Sequence, residues 1–523
     1  MTRQKSERRV VATSTRKRRM PQTVEPAAAV KAAPVNKQTR QLTLHLGTAE
    51  LLAGQTERAV GGAAADLSAA APFAVPKPRS NTEHVSSATM EAVCQRLDDA
   101  LQNVGRNQGA PGPDGQSVTL VRQHWPALRI SLTAALLHGD YKPGEIRRVW
   151  IPKASGGVRG LGIPNVVDRV VQEAVRLMLE PLYEPTFHDS SHGFRPGRSC
   201  HTAIAAARSH LEDGYEWVVD LDLESFFDRV NHQRLRARLA ERVSDGRVLG
   251  LITSMLRAAV VMPDGVVVSS DEGVPQGGPL SPLLSNLVLD ELDQELDRRG
   301  HKFVRYADDC NIYVRSERAG HRVMASVTAF LERRLRLKVN AAKSAVARPE
   351  ERHFLGFRLR REPLDGSSEV SLSKRSRSRI DAKILALTPR RWGRSLSACI
   401  AAVNVYLRGW LGFFGICTQG IERTLGHLDA HIRRRLRAIQ LRHWKSKLTI
   451  IQRLVRLGVS SGMARRSISV GRRSYWALSH SAAVHRGLNN AHFGALGLMS
   501  LRDTWMATAR ALVAPVQLTL ALG

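Results

Sequence analysis

The stretch "VRYADDC", residues 304–310, sets two carboxylates side by side between apolar flanks. Phe303 and Val304 precede the pair and Ile312 and Val314 follow it, which predicts two short strands joined by a tight turn. Adjacent carboxylates repel, and burying them is costly unless a cation or hydrogen bonds compensate. On its own an acidic pair at a hairpin tip is usually only a turn. A second acidic stretch, "WVVDLDLESFFDRVNH" (217–232), changes that reading. Strand alternation puts Val219, Leu221 and Leu223 on one face there, and Asp220 and Asp222 on the other. If the two strands meet, their carboxylates can hold a pair of divalent cations about 4 Å apart, which stabilise the attacking and leaving oxygens of an in-line phosphoryl transfer. Mg2+ suits such a set of hard oxygen donors.

The rest of the 523-residue chain is consistent with a phosphate-bearing substrate. Lys and Arg together number 78 against 47 for Asp and Glu, a formal net charge of +31. A surplus of that size implies a polyanionic partner, most often nucleic acid. The competing explanation is a GC-rich, arginine-rich genome, which accounts for Arg over Lys but not for basic over acidic. The five cysteines, Cys94, Cys200, Cys310, Cys399 and Cys417, form no C-x-x-C, so neither a disulfide framework nor a zinc module is suggested. The basic N-terminus is not followed by the apolar core of a secretory signal. No apolar run in the sequence reads as the ~18 residues of a membrane span. A cytoplasmic protein is expected.

Residues 1–85 read as a disordered basic, Ala/Pro-rich extension. Helical spacing begins at "SSATMEAVCQRLDDALQNV", and residues 86–365 mix helical and strand-like stretches as one α+β unit. A polar, basic stretch then predicts a linker over 366–385. An all-α segment (386–450) and a basic C-terminal region (451–523) follow. In "HIRRRLRAIQLRHWKSK" (431–447), Ile432, Leu436 and Ile439 line one helix face while arginines crowd the rest.

Three further stretches suggest substrate handling. "GVPQGGPLSPLLSNLVLDEL" (273–292) opens with Pro and Gly, which bring backbone close to a ligand, though a plain helix-start loop reads the same way. "RRVWIPKASGGVRGLGIPNVVDRVVQ" (147–172) predicts a hairpin whose Lys153 and Arg159 either meet phosphates or are simply solvated. "HGFRPGRSCHTAI" (192–204) sets Gly, Pro and Arg before a helix, and its His192 and His201 are not metal-spaced.

In order, "NQGAPGPDG", "IPKASGGVRGLGIP", "HGFRPGRS", "VVDLDLESFFDRVNH", "VPQGGPLSPLLSN", "YADD", "LKVNAAKS" and "FLGF" resemble the reverse transcriptases encoded by bacterial group II introns. Downstream, "YLRGWLGFF" with "IRRRLRAIQLRHWK" resembles that family's thumb, or maturase, domain, and the C-terminus is similar to members that lack an endonuclease. The resemblance implies an α+β right-hand polymerase (fingers and palm), an all-α thumb/maturase domain and a small basic DNA-binding-like C-terminal region. It implies an RNA-directed DNA polymerase and maturase that needs Mg2+ and acts on its own intron RNA, target DNA and deoxynucleoside triphosphates. No membrane is involved, a homodimer is left open, and the setting is a bacterial cytoplasm, nucleoid-associated. The implied catalytic carboxylates are Asp222, Asp308 and Asp309, with Leu223 adding a backbone carbonyl to the metal site. Lys153 and Arg159 match triphosphate contacts, Phe227 the residue that excludes a 2′-hydroxyl, Gln276 a residue against the nascent base pair, and Lys343 a neighbour of the departing pyrophosphate. Tyr306 is expected near the primer end. On the thumb helix Arg433, Arg434, Arg435, Arg437 and Arg442 are expected to meet nucleic acid. The paired cysteines of the family's zinc-stabilised endonuclease are not in this sequence, so no endonuclease is expected. A host-adopted reverse transcriptase and a non-catalytic RNA chaperone are the two alternatives.

Overall fold

The computed structural model describes residues 88–152, 157–269, 271–418, 420–470 and 474–513, with side chains as far as Thr508. The expected N-terminal extension, and Lys153, lie outside the described residues. The described residues fall within one unit. Among the described residues there are ten strands: β1 (Ile146–Pro152), β2 (Val158–Ile163), β3 (Trp217–Leu221), β4 (Val260–Val261), β5 (Val267–Val268), β6 (Lys302–Tyr306), β7 (Asp309–Val314), β8 (Ala345–Ala347), β9 (Phe357–Arg361) and β10 (Ser368–Leu372). They form sheets of order β2-β1-β4-β5, β6-β7-β3-β8 and β10-β9.

The second of these sheets organises the molecule. All of its pairings are antiparallel, and β3 and β7 align Val219 with Ile312, Asp220 with Asn311 and Leu221 with Cys310. Because side chains alternate, this register sorts the sheet into two faces. Val219, Leu221, Phe303, Cys310, Ile312 and Val314 share a core with Leu284 and Leu287 of the Ser281–Arg298 helix and Val170 of the Val166–Tyr183 helix. Val218, Val304, Tyr306 and Tyr313 on the opposite face enter a second core. That core includes Ile204 of the Cys200–Glu212 helix and Leu407 of the Leu396–Phe414 helix. The sheet is therefore covered on both sides. Val218 corrects the simple alternation read from the sequence, in which its face was polar. Asp220 lies on that second face.

The fingers hairpin forms as its sequence predicts, with β1 and β2 paired from Arg147–Ile163 to Pro152–Val158. Its neighbour β4 runs parallel to β1.

Residues 366–385, expected to be a linker, are folded. Gly366, at φ +72, lets the chain turn back from β9, and β10 then pairs with that strand. The Lys374–Leu387 helix follows, with Ser373 as its N-cap accepting from the Ser376 backbone. Val370, Ile380 and Ile384 are buried, and Ser368, Ser373 and Ser376 among the polar residues that suggested a linker are buried with them. The basic C-terminal region likewise joins the second core through Leu454, Phe493 and Leu501. Asp429 of the Ile421–Trp444 helix accepts from the backbone N–H groups of Leu501 (2.9 Å) and Arg502 (3.1 Å), the orphan donors at the start of the last helix.

By length and composition the Leu396–Phe414 helix is long and apolar enough to cross a membrane, contrary to the sequence expectation. Its Cys399, Val403 and Leu407 are fully buried in the protein's own core.

Candidate active site

The β6–β7 hairpin closes at the Tyr306–Asp309 pair, leaving Ala307 and Asp308 as a two-residue turn. Ala307 sits at φ +56, a conformation that costs a non-glycine residue and needs support. One residue beyond the last aligned pair of β3 and β7, Asp222 comes opposite Asp309. Asp222 thus converges with the adjacent Asp308 and Asp309 at one end of the sheet.

Asp309 keeps a solvent-facing surface, but surrounding protein displaces much of the water around its carboxyl. That desolvation, then the charges of Asp308, Asp220 and Asp222, push its carboxyl well above the ordinary carboxylate range, against the opposing pull of Lys343. Asp308 is pushed up by the same loss of water and by Asp222, and Arg159 opposes the shift.

Asp222 is anchored from behind. Its N–H donates to Ser344 Oγ at 3.0 Å, and its carbonyl accepts from the Asn340 N–H at 2.8 Å. Leu223 bridges Val339 and is buried. The Asp222 Oδ2 atom is buried and accepts no hydrogen bond; Lys343 Nζ lies 3.1 Å away, close enough for charge attraction but not aligned to donate. Among the described residues no three ligating side chains are drawn in around a single point, as expected of carboxylates that repel one another. A buried carboxylate oxygen with no hydrogen bond, beside two crowded carboxyls, fits a hard divalent cation. Asp220, by contrast, is spoken for: Arg352 Nη2 stands 2.7 Å from its Oδ2.

The residues expected to handle substrate, Phe227, Gln276, Arg159 and Lys343, are tied to this end of the sheet. Phe227 follows β3 in a short turn of helix, and its carbonyl accepts from Val274 N–H at 2.6 Å, tying the "GVPQGG" loop to the acidic strand. In that loop Gln276 accepts from Arg159 Nε at 2.7 Å, and its carbonyl accepts from Gly162 N–H at 2.7 Å. Gly277, at φ +124, makes this approach possible, since a Cβ there would lie 2.3 Å from the Gly162 carbonyl oxygen. Lys343 completes the rim beside Asp222.

Other expected residues sit elsewhere. Tyr306 is 8% exposed, its ring 6.2 Å from that of Phe194, and burial beside Cys200 pushes its hydroxyl's pKa up. It is a core residue under the turn rather than an open surface. Two of the five thumb arginines point inward, which corrects their expected role. Arg435 is 6% exposed and donates to Thr388 Oγ1 and the Thr388 carbonyl. Arg437 is 5% exposed and donates to the Leu488 carbonyl at 2.9 Å. Arg434 lies over the Trp476 ring, 4.1 Å from its centroid, and is half-buried like Arg433, whereas Arg442 is exposed. His192 pairs with Thr202 Oγ1 (2.9 Å) and His201 with the Phe413 carbonyl (2.7 Å), so both serve the protein's own framework.

Residues not singled out from sequence also shape the site. Arg305 and Asn286 brace the turn, Gly193 packs against it, and Arg352 neutralises Asp220. Only Arg305 left a readable signal: strand alternation places it on the same face as Phe303, where a lone charge needs a buried partner.

Residues 151–359 match the family described as reverse transcriptase (RNA-dependent DNA polymerase), and residues 377–456 match the group II intron, maturase-specific domain. Protein YkfC of Escherichia coli (strain K12) is 34% identical over 332 residues, which cover 56% of this chain and 84% of YkfC. The group II intron-encoded protein LtrA of Lactococcus lactis subsp. cremoris is 37% identical over 214 residues, 39% of this chain and 34% of LtrA. The putative COX1/OXI3 intron 2 protein of Saccharomyces cerevisiae is 39% identical over 159 residues, 30% of this chain and 18% of that protein. The match thus spans most of YkfC but only about a third of LtrA.

Proposed function

The chain belongs to the reverse transcriptase family, with a group II intron maturase-specific domain behind its polymerase domain, and from that premise we propose that it copies and assists its own intron RNA. Enzymes of this family are divalent-metal-dependent RNA-directed DNA polymerases. The proposed substrates are a DNA primer on an RNA template and deoxynucleoside triphosphates, with target DNA as the destination. These reactants place the work in a bacterial cytoplasm, at the nucleoid.

The observation that carries the reading is the β3–β7 register, which sets Asp222 opposite Asp309 beside the turn bearing Asp308. Asp222, Asp308 and Asp309, with the Leu223 carbonyl, would hold Mg2+. When bound, the metal lowers the charge cost of attack at the α-phosphate and of pyrophosphate departure. Arg159, oriented by Gln276, reaches toward the triphosphate, and Lys153 of the same hairpin is assigned the same task. The Phe227 ring stands against the sugar and excludes a 2′-hydroxyl. Lys343, beside Asp222, offers a proton and positive charge to the leaving pyrophosphate. The exposed basic surface, with Arg442 on it, holds RNA phosphates, which gives affinity without sequence reading. The region 451–523 is assigned to DNA.

Asp308→Ala tests this directly. Primer extension on an RNA template with Mg2+ should vanish while RNA binding stays near that of the unaltered protein. Equal loss of both would make Asp308 a structural residue and remove the enzymatic reading. The maturase half has its own assay: splicing of precursor RNA carrying the intron should accelerate at low Mg2+ with this protein, including with the Asp308→Ala variant.

A further inference from the structure

We propose that Arg305, together with Asn286, is a positioning device that fixes the Ala307–Asp308 turn; the inference rests on the polymerase reading given above. Arg305 is fully buried, and all five of its guanidinium N–H groups are used. Nε donates to Asp293 Oδ1 at 2.7 Å, and Nη2 donates to Asp293 Oδ2 at 2.5 Å and to Ser191 Oγ at 2.7 Å. Nη1 donates to Asn286 Oδ1 and to the Ala307 carbonyl, both at 3.0 Å. Asp293 and Asn286 both project from the Ser281–Arg298 helix, which packs in the first core.

The contact with Ala307 separates this device from an ordinary buried ion pair. The Ala307 carbonyl belongs to the peptide that carries the Asp308 nitrogen, so fixing that oxygen fixes the peptide plane from which the Asp308 side chain departs. The plane is held in the left-handed region at Ala307, where an unsupported alanine would relax. A second path closes the loop. Asn286 Nδ2 donates to the Gly193 carbonyl at 2.8 Å, and Gly193 lies so close to the turn that a Cβ there would stand 2.3 Å from Ala307 N. The backbone of Arg305 is tied to the same loop, donating to Ser190 O at 2.8 Å and accepting from His192 N–H at 2.9 Å. A pair serving stability alone gains little over apolar packing and has no need to reach the turn. Here one planar fork joins helix, loop and turn, a geometry that lysine cannot copy.

Arg305→Ala would strand Asp293 without its partner and threatens folding, so the decisive variant is Asn286→Ala in the full-length chain. It leaves the Arg305–Asp293 pair intact while removing one acceptor of Nη1 and the brace on Gly193. The expected result is a fall in kcat for single-nucleotide addition on the order of 100-fold, with KM for the nucleotide within about twofold. Amide exchange across 306–309 should rise by about tenfold or more, with exchange in the Val166–Tyr183 helix unchanged. Asn286→Asp, which restores the acceptor for Nη1, should recover part of the lost kcat. A folded Asn286→Ala protein with kcat within about threefold of the parent, or one whose loss lies wholly in KM, overturns the inference. If the parent chain itself extends no primer, the polymerase reading fails separately. Exchange then still decides the positioning claim, and an unchanged rate across 306–309 sinks it.

Discussion

Gly193→Ala is the sharpest steric test of the active-site geometry. A Cβ at Gly193 would stand 2.3 Å from Ala307 N, 3.0 Å from the Tyr306 carbonyl carbon and 3.2 Å from Ala307 Cα. All three are backbone atoms, so no side chain can rotate out of the way. Reaching an ordinary contact requires the loop and the turn to separate by about 1 Å. Neither side yields freely. The loop is held by Arg195 Nη1 donating to Ser191 O at 2.8 Å and by Asn286 on the Gly193 carbonyl, and the turn by Arg305 on Ala307 O. A displacement of that size beside Asp308 should lower kcat on the order of 100-fold. Overpacking should also cost about 1–3 kcal/mol of stability. Both are read on one preparation, by single-turnover nucleotide addition on an RNA template and by thermal unfolding. Gly250→Ala is the control, since this exposed position in the Gly246–Leu256 helix has nothing within 4 Å of an added Cβ. It should stabilise the protein by about 0.5–1 kcal/mol and leave nucleotide addition unchanged. A folded Gly193→Ala protein with full kcat would show that the loop, not the turn, gives way, and the reasoning would fail.

The thumb arginines should separate into two classes. Arg442→Ala, at an exposed position, should reduce the slope of log affinity for RNA against log salt by about 1 and leave unfolding unchanged. Arg435→Ala and Arg437→Ala should each cost about 1–3 kcal/mol, because Thr388 and Leu488 lose buried donors, with little change in the slope. A reduced slope without destabilisation for Arg437→Ala would put that side chain on the RNA instead. Asp245 supplies a pH test. It caps the Gly246–Leu256 helix, accepting from Arg247 N–H (2.8 Å) and Met90 N–H (2.9 Å), and its Arg247 and backbone donors hold its carboxyl down at about 2. A depressed folded value means that this stability is present above the ordinary value near 4 and is lost as pH falls from there toward 2. Asp245→Asn should cost on the order of 1 kcal/mol at neutral pH, allowing for solvent around Arg247, and should remove that part of the acid dependence. Parallel stability–pH curves for the two proteins would refute the assignment.

The acidic core of the site was legible because it depends on local chemistry. Two carboxylates at a hairpin tip and alternating carboxylates on a strand need only the two-residue period, and the pairing of β3 with β7 then brings them together. The hairpin of β1 and β2 was legible from its glycine turn for the same reason. What surrounds the acids was not. The Arg352–Asp220 pair spans 132 residues of sequence and the Asn286–Gly193 bond 93, so neither partner marks the other in the linear pattern. The supposed linker misled because composition does not show which residues of a segment, apolar or polar, find buried partners. Val370, Ile380 and Ile384 are few among its polar residues, yet they pack, and Ser368, Ser373 and Ser376 are buried beside them.

The thumb arginines show where the same local reasoning could have gone further. Leu428, Ile432 and Ile439 form a stripe at helical spacing, and Arg435 lies seven residues after the first, three after the second and four before the third. Its position on the buried stripe was therefore implied by the spacing that identified the helix. A buried guanidinium then needs acceptors, and the end of the Lys374–Leu387 helix supplies them through Thr388. Arg437 is different. It lies off that stripe and is covered only because the C-terminal segment folds back to place the Leu488 carbonyl and His485 against it. Desolvation there, with Arg433 nearby, pulls its guanidinium down to about 10, a cost that an RNA-facing arginine would not carry. Net charge thus identifies the kind of partner, whereas the cover over each helix face decides which arginines remain free to meet it.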